Sequence, residues 1–417
     1  MKIGIFTSFV DMQDFYSLTS VVKPHINMIH EAGHTPVMLT RSGFSWPQAP
    51  TWLETREVVP PHTQIDYPSG KDLTVEHKML VVEITRNLLE KARDLDVIFT
   101  HDLIFTGWHL PVNFAINNVA SELGPWLHWI HSVPGGHRNY WCLPPNGMLV
   151  YPNATDRIRV AENFRTLPSK VAVIPHPCDM RDFHMLTGVA RDLITRYDVL
   201  GADLVQVYPL PMDRCETKGL AEVIRLFGVL KSFGRSVRLI VPNAWCTVDH
   251  HRIKVQEMIA LARRSGLTDT EVIFTSLAYP EHEVGVGRDV VADLAMCANI
   301  FICPTHSESF GLSLAEAAMS GCLLVLNEDL PMLKEVAGGA RNAVWGRFSS
   351  AFAKTVHDDV KKYYSDLAIL ILNAFDSSPS LLSTTSYRKS YRHEAIWQRL
   401  LGAILSITTS KRAVTAL

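Results

Sequence analysis

A chain of 417 residues with 47% hydrophobic and 20% charged side chains is too long for one comfortable core and too apolar for disorder, so two globular domains are expected. The net charge of −2 names no partner by itself. Its distribution is uneven: from Thr385 onward six basic residues face one acid, Glu394, which fits a solvated helix face first and contact with an anionic membrane or nucleic acid second.

Seven cysteines are scattered without a C-x-x-C pair, so a reduced, cytoplasmic protein with buried thiols is expected rather than a disulfide framework or zinc site. The apolar run from Ile3 to Val10 is too short for a signal peptide and reads as a first strand. No stretch reaches the length of a membrane span.

Taken in chain order, "KIGIF" reads as a strand, "SVVKPHINMIHEAGH" as a helix ended by Gly33, and "TPVMLT" as the next strand. Then come strand "LDVIFT", helix "VNFAINNVASEL", strand "WLHWIHS", strand "GMLVYP", helix "ATDRIRVAENF" and strand "KVAVIP". Between them "SVPGGHRNYWCLPPNG" is a long Pro/Gly-rich loop, of the kind that carries function. A second alternating series starts at "DLVQVYPL" and runs through "VRLIVP", "EVIFTS", "NIFICP" and "LLVLN", each strand separated from the next by a helical pattern. The class is α/β: two doubly wound, Rossmann-like domains facing a cleft, with ligands at the carboxyl ends of the strands. The expected divisions are 1–190, 191–385 and a C-terminal helix over 386–417.

The densest chemistry lies in "NIFICPTHSESFGLSLAEAAMSG". A strand ending near Pro304, a loop holding Glu308 and a helix opening at Phe310–Leu312 would aim free backbone N–H groups and about half a positive charge at an anion. That is a seat for a diphosphate, and glycine at 311 lets a phosphate approach closely. Glu316, further along the helix, has the carboxylate geometry to accept two hydrogen bonds from a ribose diol. In "DRCETKGL" a guanidinium at 214 and an ammonium at 218 are the usual pairing for a leaving diphosphate. In "LHWIHS", His131 ends a strand and faces the cleft, whereas His128 lies on the other side. The loop interleaves Arg138 with Tyr140 and Trp141, the residue types that stack on a base or sugar acceptor, although a plug for the core is the default reading. "VGVGRD" lacks the third glycine of a dinucleotide site, and Cys246, His250 and His251 lack metal-ligand spacing and read as surface residues.

These stretches together resemble the large family of retaining, nucleotide-sugar-dependent glycosyltransferases of the GT-B fold, whose signature is a glutamate, seven residues and a second glutamate. "KIGIF…EAGHTPVMLT", "VAVIPHPCDMRDF", "TKGL" and, most closely, "PTHSESFGLSLAEAAMSG" carry the likeness in order along nearly the whole chain. The resemblance implies transfer of a sugar from a UDP- or GDP-sugar to an acceptor hydroxyl with retention, needing no metal or further cofactor. It would give Glu316 the ribose, Arg214 and Lys218 the diphosphate and Glu308 the donor sugar's hydroxyls, with backbone groups of Ser309, Phe310, Gly311 and Leu312 closing the site. His131 would be the family's strand-end histidine, catalytic with Glu308, and the C-terminal helix would cross back to the first domain. The chain is similar to a divergent member: Ser8 to Met12 stand where a Gly-Gly loop is usual, and "VPNAWC" where a glycine-rich turn would come after a strand. The acceptor stays open among lipid, saccharide and small molecule, with hydroxymethylated bases in viral DNA as the alternative. Outside transfer, a nucleotide-sugar epimerase and a non-catalytic nucleotide-sugar-binding protein share the pattern.

Overall fold

The computed structural model describes residues 1–13, 15–69, 73–133, 135, 138–337 and 343–415, with side chains to residue 408. Pro134, Gly136 and His137 of the long loop lie outside the described residues, as do the side chains of Lys411 and Arg412 in the basic C-terminal segment. The chain divides into two compact units, Met1–Asp179 with Tyr391–Leu417, and Met180–Ser390. The helix Gly188–Arg196 therefore belongs whole to unit 2, where Ala190, Leu193 and Ile194 pack with Val205, Val207 and Ile240.

Unit 1 is built on seven strands: β1 (Lys2–Phe6), β2 (Thr35–Arg41), β3 (Glu54–Val59), β4 (Val97–His101), β5 (Trp126–Trp129), β6 (Gly147–Tyr151) and β7 (Val171–Val173). They form one parallel sheet in the order β3-β2-β1-β4-β5-β6-β7. Parallel strands are covered on both faces, so they read as unbroken apolar runs, and β4 and β5 are buried throughout. The period of two still sorts them. Ile98 and Trp126 join one core, and Val97, Phe99, Leu127 and Trp129 join the other. The second core is closed by the helix His393–Thr415, whose Ile396, Trp397, Leu400, Ile404 and Ile407 recur at helical spacing. The Asp179 carboxylate accepts from the His393 N–H at 2.9 Å, and the Cys178 N–H donates to the Tyr391 carbonyl at 2.9 Å. The two chain segments that leave and re-enter the unit are thus tied side by side.

Unit 2 holds β8 (Leu204–Val207), β9 (Leu210–Pro211), β10 (Val237–Val241), β11 (Asn243–Ala244), β12 (Val272–Phe274), β13 (Ile300–Cys303), β14 (Leu323–Asn327) and β15 (Ala343–Gly346). Its backbone ladders give β12-β10-β8 and β13-β14-β15, with β9 and β11 as a short separate pair. Side chains sew the two ladders together. The Gln206 amide accepts from the Ile302 N–H and donates to the Ile302 carbonyl, both at 2.9 Å. Beside it the Asn299 carbonyl oxygen accepts from the Val205 N–H at 2.8 Å, and the Asn299 N–H donates to the Val205 carbonyl at 3.0 Å. Across that seam the strands run in the Rossmann order, and the switch point lies between β8 and β13.

Two expectations about side chains are corrected. Cys142 and Cys178 are exposed, so the thiols are not all buried. Cys246 and His251 are buried, because the Asn243 amide holds the Cys246 sulfur and the Trp245 carbonyl holds His251 Nδ1 at 2.5 Å; only His250 is a surface residue, as expected. Among the described residues no single helix is long and apolar enough to cross a membrane.

Candidate functional site

The functional side chains of unit 2 are placed by the segments that leave the carboxyl ends of β8 and β13. After β13 the chain passes Pro304 and Thr305, both buried, and Thr305 is clamped by its carbonyl accepting from Asn327 at 2.9 Å and its hydroxyl donating to the Ser307 carbonyl at 3.0 Å. A short loop then reaches Gly311, whose φ of +83° only glycine adopts without strain, and the helix Leu312–Met319 begins. A Cβ at Gly311 would meet ordinary contacts at 3.5 Å, so backbone conformation rather than space requires the glycine. The two glutamates of the motif therefore occupy different elements: Glu308 stands in the loop and Glu316 within the helix.

After β8 the chain turns through a short 3-10 segment, Met212–Arg214, and enters the helix Leu220–Ser232 at Gly219. Gly219 has φ +70°, and a Cβ there would lie 2.7 Å from Pro304 Cγ and 2.9 Å from the Pro304 carbonyl oxygen. The start of this helix is therefore packed against Pro304, just beyond the end of β13 at the sheet's switch point. Gly219→Ala should lower unit 2's stability by about 1–3 kcal/mol through strain and overlap. Urea denaturation checks it, and a variant as stable as the parent would refute the packing argument.

Lys218, one residue before that glycine, forms an ion pair with Glu308; their side chains are only 15% and 13% exposed. Burial is the largest influence on the Glu308 carboxyl and pushes it upward. The Lys218 hydrogen bond and charge, the Ser309 N–H at 3.1 Å and the Arg214 charge outweigh it and hold the carboxyl below its ordinary value. Glu308 thus stays ionised, and it is oriented by its neighbours rather than poised to hold a proton. Glu316 accepts from Arg288 at 2.7 Å.

These groups border one pocket of about 620 Å³. Arg214, Lys218, Glu308, Ser309, Phe310, Gly311, Leu312 and Glu316 all line it. A second wall, not anticipated from the sequence, is made of Trp245, Gly285, Val286, Arg288 and Val291. "VPNAWC" and "VGVGRD" had supplied the signal, as a departure and a failed motif.

His131 lies in unit 1, beyond the end of β5. It is the middle of a histidine chain: its Nε2 is 2.9 Å from His101 Nδ1 and its Nδ1 is 3.4 Å from His176 Nε2. Its N–H donates to Asp102 Oδ1 at 2.9 Å. His101 and Asp102 border a pocket of about 470 Å³ at the ends of β1 and β4, shared with Ser8, Asp11, Tyr16, Gln64, Trp108 and His109. His128 points to the other face, where Thr100 Oγ1 meets its Nδ1 at 2.9 Å. Arg138 is exposed, but Tyr140 and Trp141 are buried; Trp141 stacks between Phe105 and Phe164 and donates to the Phe105 carbonyl at 2.6 Å. Their rings fill the core and are not offered to an acceptor.

Burial holds these imidazoles neutral. It pulls His128 down to about 3, His131 to about 3 with help from His176, and His109 to about 4 with help from His62. His25 and His101 lie well below the ordinary 6.5 for the same reason, with neighbouring histidines adding to it. Burial also raises Asp102 to about 6, against the pull of the His131 N–H. The signs oppose. A histidine depressed in the fold contributes stability above 6.5 that is lost as pH falls, whereas the raised Asp102 contributes below 3.8 and loses it as pH rises through about 6. With His34, His62 and His176 also depressed by burial, eight histidines of unit 1 stand against that one carboxyl and decide the outcome. Unit 1 should lose thermal stability steeply between about pH 6.5 and 4, taking up more than one proton on unfolding. Melting curves across that range test it, and a flat profile would contradict it.

No family model matches the chain, and no curated protein matches it in sequence. Among solved structures the chain is similar to a glycosyltransferase from Rickettsia africae ESF-5, at 13% identity over 99% of this chain and 97% of that one, with a TM-score of 0.33. It is also similar to HepE of Anabaena in complex with UDP, at 13% identity over 97% and 100% of the two chains, TM-score 0.33. A UDP-forming α,α-trehalose-phosphate synthase from Burkholderia xenovorans is 12% identical over 98% and 99%, TM-score 0.34. At that level of superposition, the functional reading rests on this chain's own pocket.

Proposed function

We propose that this protein is a glycosyltransferase that binds a nucleotide-diphosphate sugar in the pocket of unit 2 and transfers the sugar to an acceptor hydroxyl with retention. The observation that carries it is the convergence of the start of the helix Leu312–Met319, Arg214, Lys218, Glu308 and Glu316 on one pocket at the switch point of the sheet. The start of the helix Leu312–Met319, Arg214 and Lys218 stabilise the negative charge that grows on the departing diphosphate. Glu308, kept ionised, accepts from donor-sugar hydroxyls, and Glu316 accepts from the ribose diol once Arg288 yields it. The bond from the anomeric carbon to the β-phosphate oxygen breaks as the bond to the acceptor oxygen forms on the same face, and the acceptor's proton passes to that phosphate oxygen. With a helix mouth and a basic pair at the phosphates, the reaction needs no metal.

The acceptor is assigned to unit 1. Its pocket is bordered by Asp11, Asp102, Gln64 and the half-exposed rings of Tyr16 and Trp108, and no lysine or arginine borders it among the described residues. Two carboxylates repel phosphate, so a neutral, hydroxyl-rich saccharide or small molecule fits better than the polyanion DNA. Incubation with a panel of UDP-, GDP- and ADP-sugars, with nucleotide release and the anomeric configuration of the product as readouts, tests the reading. Slow release from one donor, accelerated by a neutral saccharide with retained configuration, is expected. No binding or turnover of any nucleotide sugar would overturn it.

A further inference from the structure

A second wall of the pocket comes from two stretches, "VPNAWC" and "VGVGRD", of which the proposed reaction uses only Arg288. Trp245 is their odd residue. Its φ is +62°, a left-handed conformation that a bulky side chain adopts only under strain. The strain is imposed from several sides. The Trp245 N–H donates to the Val284 carbonyl at 3.2 Å and the next N–H, of Cys246, to the Glu283 carbonyl at 2.8 Å. The Trp245 carbonyl meets His251 Nδ1 at 2.5 Å, and Asn243 bridges Cys246 and Ser276, both at 2.8 Å.

This bracing leaves the indole itself out of the core. Trp245 is 56% exposed and borders the pocket. A tryptophan in the hydrophobic interior would bury its ring; here the fold fixes the backbone rigidly and presents the ring to the pocket instead. Gly285 has φ +135°, and a Cβ there would meet Ala244 at 3.3 Å, so the two stretches are pressed together. Three residues on, Arg288 reaches Glu316, which places this wall on the Glu316 side of the pocket. Phe310, the pocket's other exposed ring, stands instead at the helix mouth.

We propose that the Trp245 indole is the stacking face for the nucleobase of the bound nucleoside diphosphate, and that the left-handed strain at this position is retained for that purpose. The inference rests on the donor reading above and adds the residue that recognises the nucleoside. A base offers a flat π-face that stacks on an indole without demanding a particular hydrogen-bond pattern. The diphosphate is held by charge at the other wall, so the two contributions separate.

Calorimetric titration of the full chain with UDP, GDP and inorganic pyrophosphate, on the parent and on Trp245→Gly, Trp245→Phe and Lys218→Ala, tests it. Trp245→Gly should weaken the preferred nucleotide about tenfold to a hundredfold while leaving pyrophosphate unchanged. Trp245→Phe should stay within about threefold of the parent, since it keeps an aromatic face. Lys218→Ala should weaken nucleotide and pyrophosphate alike. The melting temperature of Trp245→Gly should equal or exceed the parent's, because glycine relieves the strain; a tryptophan kept for packing would instead lower it. Unchanged nucleotide affinity in Trp245→Gly, or parallel loss of pyrophosphate, overturns the inference while leaving the donor reading intact. A parent that binds none of the three ligands overturns both.

Discussion

Lys218→Met should lower kcat/KM for donor turnover by about a hundredfold to a thousandfold, the usual cost of removing one fixed donor from a developing anion. Nearly isosteric methionine keeps the aliphatic stem and deletes only the charge. The expectation needs separating from a plain folding defect, since Lys218 is paired with Glu308 and both are largely buried. Removing one partner leaves the Glu308 carboxylate with the Ser309 N–H and the more distant Arg214 charge, and stability should fall by about 1–3 kcal/mol. The double variant Lys218→Met with Glu308→Gln removes the stranded charge and should recover most of that stability without recovering turnover. Denaturation curves and initial rates on the parent and the two variants decide it. A single variant within threefold of the parent in turnover would sink the assignment of Lys218 to the diphosphate.

The ease of that prediction reflects how local the motif is. Loop, Gly311 and helix succeed one another within the stretch Glu308–Glu316, so residue types at fixed offsets state the geometry directly. The second wall is assembled from loops far apart in the chain, and nothing in "VPNAWC" announces that its tryptophan will be held left-handed. That strain comes from His251, six residues on, and from Glu283 and Val284, which only the tertiary fold brings near. Tyr140 and Trp141 show the reverse case. The residue types that stack on ligands are also those that fill cores, and composition alone does not separate the two uses. At the fold level, β3 escaped notice because "ETREVV" is mostly polar: it lies at the sheet's edge, and only Val58 and Val59 of the strand are buried.

Gln206 is another residue whose meaning only the fold supplies, and its removal should carry the largest cost in stability. In sequence it is a polar interruption of "DLVQVYPL". In the fold it is fully buried at the point where backbone pairing between β8 and β13 is absent, and its amide replaces that pairing for Ile302. Gln206→Leu keeps the volume and abolishes both bonds, orphaning one buried N–H and one buried carbonyl. Each orphan costs about 1–3 kcal/mol, so unit 2 should lose about 2–5 kcal/mol and melt roughly 5–15 °C lower. Hydrogen exchange at the Ile302 amide should accelerate with it, which a general loss of packing elsewhere would not single out. A change below about 0.5 kcal/mol would mean that the two half-sheets hold together without the side-chain seam. The seam also bears on the site, since β13 runs directly into the Pro304–Thr305 clamp that aims Glu308. Donor affinity should therefore weaken severalfold in the same variant, by displacement of the loop rather than by loss of a contact to the ligand.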